Sequence, residues 1–176
     1  MIATTRANEA AWCTFVVADA LYGVELERVQ EVLRAQPITR VPLAAPALVG
    51  LLNLRGRIVP AVDLRTVLGL PPRRPGTRRG EQDSGLVVVR GADGPVALVV
   101  DAIADVRRAT EAPAAAQRAI PPAREASDPR FACAVPLPER LLVVLDLDHT
   151  LELAFTRPAA DSGPEAAAEA PAGDRS

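Results

Sequence analysis

Residues 50 to 69 read GLLNLRGRIVPAVDLRTVLG, and this stretch decides how the rest of the chain is understood. Asn53-Leu54-Arg55-Gly56 is turn chemistry: Asn and Gly tolerate left-handed backbone, which sets the arginine between them on a turn. Just upstream, Pro46 suits the first position of a helix, opening one short turn that Gly50 closes. Downstream, RIVPAVDL reads as a strand, and the proline inside it predicts a sheet edge or a bulge. Asp63 then stands where a helix N-cap belongs, with LRTVLG as a short helix ending at Gly69.

On the N-terminal side, WCTFVVA (12–18) and LYGVEL (21–26) form two strands around a tight turn at Asp19 and Ala20. Val24, Leu26, Val29, Val32 and Leu33 fall roughly at helical spacing, which predicts a helical turn over about residues 26–33. Pro37 ends it, and ITRVP (38–42) returns to extended backbone. PPRRPGTRRGEQDS (71–84) is a loop by composition. GLVVVR (85–90) and PVALVVDAI (95–103) form a hairpin around an Ala-Asp-Gly tip, with the second strand continuing into ADVRRAT. Residues 111–130, rich in Ala and Pro, carry no assignment. FACAVPLPERLLVVLDL (131–147) forms a final hairpin, followed by a short helix over 148–155. Some eight to ten short strands with two or three short helices describe small barrels, not a parallel sheet wound with long helices.

Composition narrows the function. Of 176 residues 49% are hydrophobic but only 3% aromatic, so the core is built from Val, Leu, Ile and Ala. All 20 basic residues are arginine. The absence of lysine excludes Schiff-base, P-loop and kinase-type lysine chemistry. A net charge of −2 gives no reason to expect a nucleic acid or an anionic membrane as partner, and the arginines of RRPGTRR (73–79), without interleaved aromatics, read as a solvated loop. Cys13 and Cys133 are too few for a disulfide framework and behave as small buried hydrophobes. There is no hydrophobic signal region and no run of about 18 apolar residues, which fits a reducing cytoplasm and no direct membrane insertion. No nucleotide, metal or other cofactor motif is present.

VVLDLDHTL (143–151) resembles the first motif of haloacid-dehalogenase-type phosphatases. In that reading Asp146 is the nucleophile, Asp148 the acid/base and Thr150 a phosphate ligand. The chemistry also needs a parallel sheet after the motif, a downstream lysine and a later acidic pair for the metal. Only 26 residues follow Thr150, and none in the chain is lysine. The alternative is a buried last strand whose Asp caps a terminal helix. His149, the single histidine, then lies on that helix surface.

The block at 50–69 closely resembles the signature of CheW-like domains, found in chemotaxis coupling proteins and at the C-terminus of chemotaxis histidine kinases. FVVADALYGVELERVQEVL (15–33), ITRVP, GLVVVRGADGPVALVVDAIADV (85–106) and RLLVVLDLDHTL (140–151) extend the resemblance over about residues 12–155. It implies a mainly β fold of two five-stranded SH3-like barrels on a shared hydrophobic seam. A flexible N-terminus (1–11) and a disordered tail (156–176) flank it. The function implied is that of a non-catalytic, cytoplasmic adaptor without cofactors. It bridges the cytoplasmic tip of a chemoreceptor and the regulatory domain of a histidine kinase within membrane-associated arrays. A kinase regulatory domain cut from its parent is the alternative; the start at Met1 and the polar tail fit the stand-alone coupler. The residues matching the receptor-binding positions are Val29, Glu31, Gly50, Asn53 and Arg55. Arg55 projects a planar fork suited to a carboxylate or to carbonyls on a partner helix. Plainer roles stay open: Val29 as core, and Glu31 with Arg55 as a surface pair worth under about 1 kcal/mol. Arg57 and Arg65 read as ordinary surface residues.

Overall fold

The computed structural model describes residues 10–71, 84–109 and 128–156. The expected loop at 71–84, the unassigned 111–130 stretch and the expected flexible ends lie almost wholly outside the described residues. Among those described there are ten strands: β1 (Ala11–Val17), β2 (Ala20–Glu25), β3 (Val29–Arg34), β4 (Leu48–Leu54), β5 (Arg57–Asp63), β6 (Gly85–Gly91), β7 (Gly94–Val100), β8 (Ala102–Arg108), β9 (Phe131–Pro136) and β10 (Leu141–Leu145). Two α-helices, α1 (Leu64–Val67) and α2 (Leu147–Phe155), and a 3-10 turn at Leu26–Arg28 complete them.

The strands form two five-stranded sheets, ordered β8-β1-β2-β10-β9 and β3-β6-β7-β5-β4, and these are the two SH3-like barrels. The chain begins the first barrel, crosses over to build all of the second, and returns to finish the first. Burial explains why GLVVVR is apolar without a break. Leu86 and Val88 point into the second barrel's own core with Leu52, Val59, Ala61 and Ala97. Val87 and Val89 point the other way, into a seam shared with Phe15, Val17 and Val24 of the first barrel. A strand buried on both faces has no polar side to show. Trp12, Leu21, Val135, Leu142 and Val144 fill the first barrel.

The barrels repeat one plan. In each, a hairpin (β1-β2, β6-β7) pairs in parallel with the last strand of a second hairpin (β9-β10, β4-β5), and a strand from across the seam (β8, β3) borders the first hairpin. In each, an aspartate at the end of that last strand or directly after it caps a helix. Asp63 accepts from the Arg65 N–H at 2.9 Å and Asp146 from the His149 N–H at 3.1 Å, both with extended backbone.

Four expectations are corrected. The helical turn covers only Leu26–Arg28, and residues 29–34 are β3, paired with β6. The apolar spacing imitated a helix because a register shift between Val29 and Glu31 breaks the two-residue alternation. No helix follows Pro46: Leu48 already belongs to β4, and Gly50 lies within that strand. Pro60 is not on an edge strand, since β5 sits between β4 and β7. Pairing to β7 begins only at Ala61, so the missing N–H removes no bond of that ladder, and the irregularity lies opposite, between Leu48 and Gly50. Finally, β7 does not run on into ADVRRAT; the chain bends at Asp101, and β8 joins the other barrel beside β1.

Candidate functional site: a groove between the barrels

Arg55 and Gly56 form the two-residue turn between β4 and β5, and both have positive φ, 51° and 83°. Asn53 is not left-handed as expected. It stabilises the turn from its side chain, which accepts from the Gly56 N–H at 2.8 Å. The turn thrusts Arg55 outward, 81% exposed, where Nη2 donates to Glu31 Oε2 at 3.0 Å. β3 and β4 are the outermost strands of the second sheet, and this pair ties β3 to the turn that follows β4. A bridge between Thr39 and Leu51 secures β4 beside it. Gly50 permits that bridge: a Cβ there would lie 2.2 Å from the Thr39 carbonyl oxygen.

The structure thus brings together Glu31, Asn53 and Arg55, sets Gly50 under Thr39, and places Val29 elsewhere. Residues paired across an antiparallel ladder share a face. Val29 and Val32 pair with Val89 and Val87, which point into the seam, whereas Glu31 pairs with Val88, which points into the barrel. The same register logic holds on β8, where Ile103 and Val106 pair with the seam residues Phe15 and Cys13 around a second shift. Each groove strand carries one bulge, and each bulge turns two apolar side chains to the open side of the seam. Val29 is half-buried, but Val32, Ile103 and Val106 are 40%, 36% and 41% exposed. Ile103 packs so closely over Gly85 that a Cβ on the glycine would come within 2.4 Å of it. By register and exposure, β3 of one barrel and β8 of the other are thus the apolar walls of a groove along the seam. Val32, Ile103 and Val106 escaped the sequence reading because the bulges hide their common face.

The remaining motifs resolve differently. Asp146, the nucleophile of the phosphatase reading, is the N-cap of α2, and its counterpart Asp63 does the same work in the other barrel. The Thr150 hydroxyl is occupied, donating to the Asp146 carbonyl at 2.6 Å. The Asp148 carboxylate receives two hydrogen bonds from Arg28. His149 is half exposed on α2, as expected. Among the described residues no cluster of His, Cys, Asp or Glu is arranged to hold a metal ion. Arg65 is not an ordinary surface residue: it is largely buried and paired with Asp101. Both cysteines are free thiols, and burial pushes Cys133 up to about 11, away from thiolate reactivity. No helix among the described residues is long and apolar enough to cross a membrane.

Comparison with known proteins agrees with this architecture. The profile of the CheW-like domain matches residues 12–155. The probable chemotaxis protein CheW of Rhizobium etli is 30% identical over 97 residues, 55% of this chain and 59% of that protein. The chemotaxis protein CheW of Thermotoga maritima is 29% identical over 56% of this chain and 61% of its own length. In both cases the match spans less than two thirds of the relative. The chemotaxis protein CheW of Klebsiella aerogenes is 29% identical over 149 residues, 78% of each chain. In three dimensions the scaffolding protein TtCheW of Thermoanaerobacter tengcongensis shares the fold, with a TM-score of 0.69, 24% identity, and coverage of 85% of this chain and 97% of that one. The chain belongs to the CheW-like domain family.

Proposed function

We propose that this chain is a non-catalytic, cytoplasmic adaptor that couples a chemoreceptor's cytoplasmic tip to the regulatory domain of a chemotaxis histidine kinase. The observation that carries this reading is the groove. A two-barrel protein has little reason to leave Val32, Ile103 and Val106 open to water along its seam unless another protein covers them. A groove with apolar walls takes the apolar face of a partner helix, and a receptor tip is helical. Family membership supports the same partner class. The Glu31–Arg55 pair, with the Asn53 side chain fixing the turn, links β3 to the β4-β5 turn and offers the exposed donor fork of Arg55 to that helix. Cytoplasmic placement and recruitment to receptor arrays follow from those partners.

The test is a titration with a soluble two-helix hairpin from the cytoplasmic tip of a chemoreceptor of the same organism. Val32→Asp buries a charge in the interface and lowers affinity by at least about thirtyfold, roughly 2 kcal/mol, while the fold persists because Val32 is exposed. Unchanged binding by that variant refutes the groove as the receptor surface.

A further inference from the structure

The residues that immediately precede the two groove strands are each held by an ion pair, and the two pairs are built alike with the charges exchanged. Asp101 stands between β7 and β8. Both its oxygens accept from Arg65 Nε at 3.0 Å, Oδ2 also pairs with Arg65 Nη2, and Oδ2 accepts from the Ala18 N–H in the β1-β2 turn at 2.8 Å. Arg28 stands between β2 and β3. Its Nη2 donates to Asp148 Oδ1 at 2.6 Å and its Nη1 to Oδ2 at 3.2 Å, while Nε and Nη2 reach the Arg90 carbonyl oxygen near the β6-β7 turn at 3.2 and 2.9 Å.

The correspondence is complete under the repeat that relates the barrels. Arg65 and Asp148 both lie two residues after a capping aspartate, Asp63 and Asp146. Asp101 and Arg28 both lie one residue before a groove strand, and both also grip the backbone at or beside their own barrel's first hairpin turn. Each helix therefore reaches from one barrel to the root of the other barrel's groove strand. Bidentate guanidinium–carboxylate geometry fixes distance and orientation together, which a single hydrogen bond does not. The Arg28 hydrogen bond, with its charge, also keeps the Asp148 carboxyl below its ordinary range, so that pair is ionised at neutral pH.

We propose that Arg65–Asp101 and Arg28–Asp148 are positioning residues for partner binding: twin, charge-reversed clamps that fix β8 and β3 at the spacing a partner helix reads. None of the four is in the apolar walls of the groove, so they act through Ile103, Val106, Val29 and Val32. This rests on the groove being the receptor surface.

The experiment titrates the same receptor hairpin into the full chain carrying Asp101→Asn, Arg65→Lys, Asp148→Asn or Val32→Asp, below every variant's melting temperature. Methyl NMR spectra are recorded for each variant without partner. Asp101→Asn keeps the shape of the side chain but loses its charge, and weakens binding about five- to tenfold. Arg65→Lys, which keeps the charge without the fork, falls between it and the wild type. Asp148→Asn, at a side chain 67% exposed, costs about two- to threefold. In these clamp variants the methyl signals of Val32, Ile103 and Val106 move while those of Leu52 and Val135, deep in the barrels, do not. A merely stabilising pair lowers the melting temperature without moving the groove methyls. If Val32→Asp abolishes binding while Asp101→Asn binds within about twofold of wild type and leaves the groove methyls in place, the clamp proposal is overturned. If Val32→Asp binds normally, the receptor reading of the groove fails instead. The methyl spectra then judge the clamps alone, and unmoved groove signals overturn them.

Discussion

Arg55 is directed outward by its backbone, not by packing around its side chain. Its turn places it in the left-handed region, and its side chain donates to Glu31 from an exposed position. Such a pair contributes under about 1 kcal/mol to folding. Aspartate tolerates left-handed backbone, so Arg55→Asp is compatible with the turn. The expected outcome is a melting temperature close to wild type and receptor binding weakened about thirtyfold, measured by co-sedimentation beside an independent kinase-binding assay. Normal receptor binding, or loss of both partners through unfolding, removes Arg55 from the site. The turn itself was legible in the sequence, because Asn and Gly mark turns by their backbone tolerance. Which residue became left-handed was not: Asn53 served better as a side-chain acceptor, and that left Arg55 to adopt positive φ.

At the scale of elements, legibility followed burial. GLVVVR and FACAVPLPERLLVVLDL are apolar on both faces or flank clear turn residues, and β6, β9 and β10 lie where the sequence set them. In the sequence β3 reads as a helical turn, and β8 reads as strand but as an extension of β7. A bulge on each slips the alternation by a residue, so that on β3 the apolar positions imitate a helix, and the switch of barrels at Asp101 carries no Gly or Pro to announce it. The groove is made of those two strands, which is why Val29 was legible only through family resemblance and Val32, Ile103 and Val106 not at all. The motif at Asp146 makes the opposite point: a sequence that reads as catalysis is a strand-to-helix corner used twice. Asp146→Ala therefore costs about 1 kcal/mol of stability through loss of the cap, while Asp146→Asn, an equally good capping residue, costs little. Thermal melts of the two variants check this, and equal losses from both would point to a role for the charge itself.

For the whole molecule, the seam matters more than either barrel. Its buried residues come from both sheets and from both helices, so separating the barrels would expose apolar residues of both. A unit of this kind offers a fixed frame on which one partner can be held between the barrels while a second binds elsewhere. That is the physical meaning of coupling. The most direct measurement is a pull-down from native lysate with the tagged full chain, in wild-type and Val32→Asp forms. Coupling predicts that a chemoreceptor and a histidine kinase are retained together by the wild type, and that Val32→Asp loses the receptor while keeping the kinase. Retention of neither, together with a Mg²⁺-dependent phosphatase activity that Asp146→Asn abolishes, would contradict it.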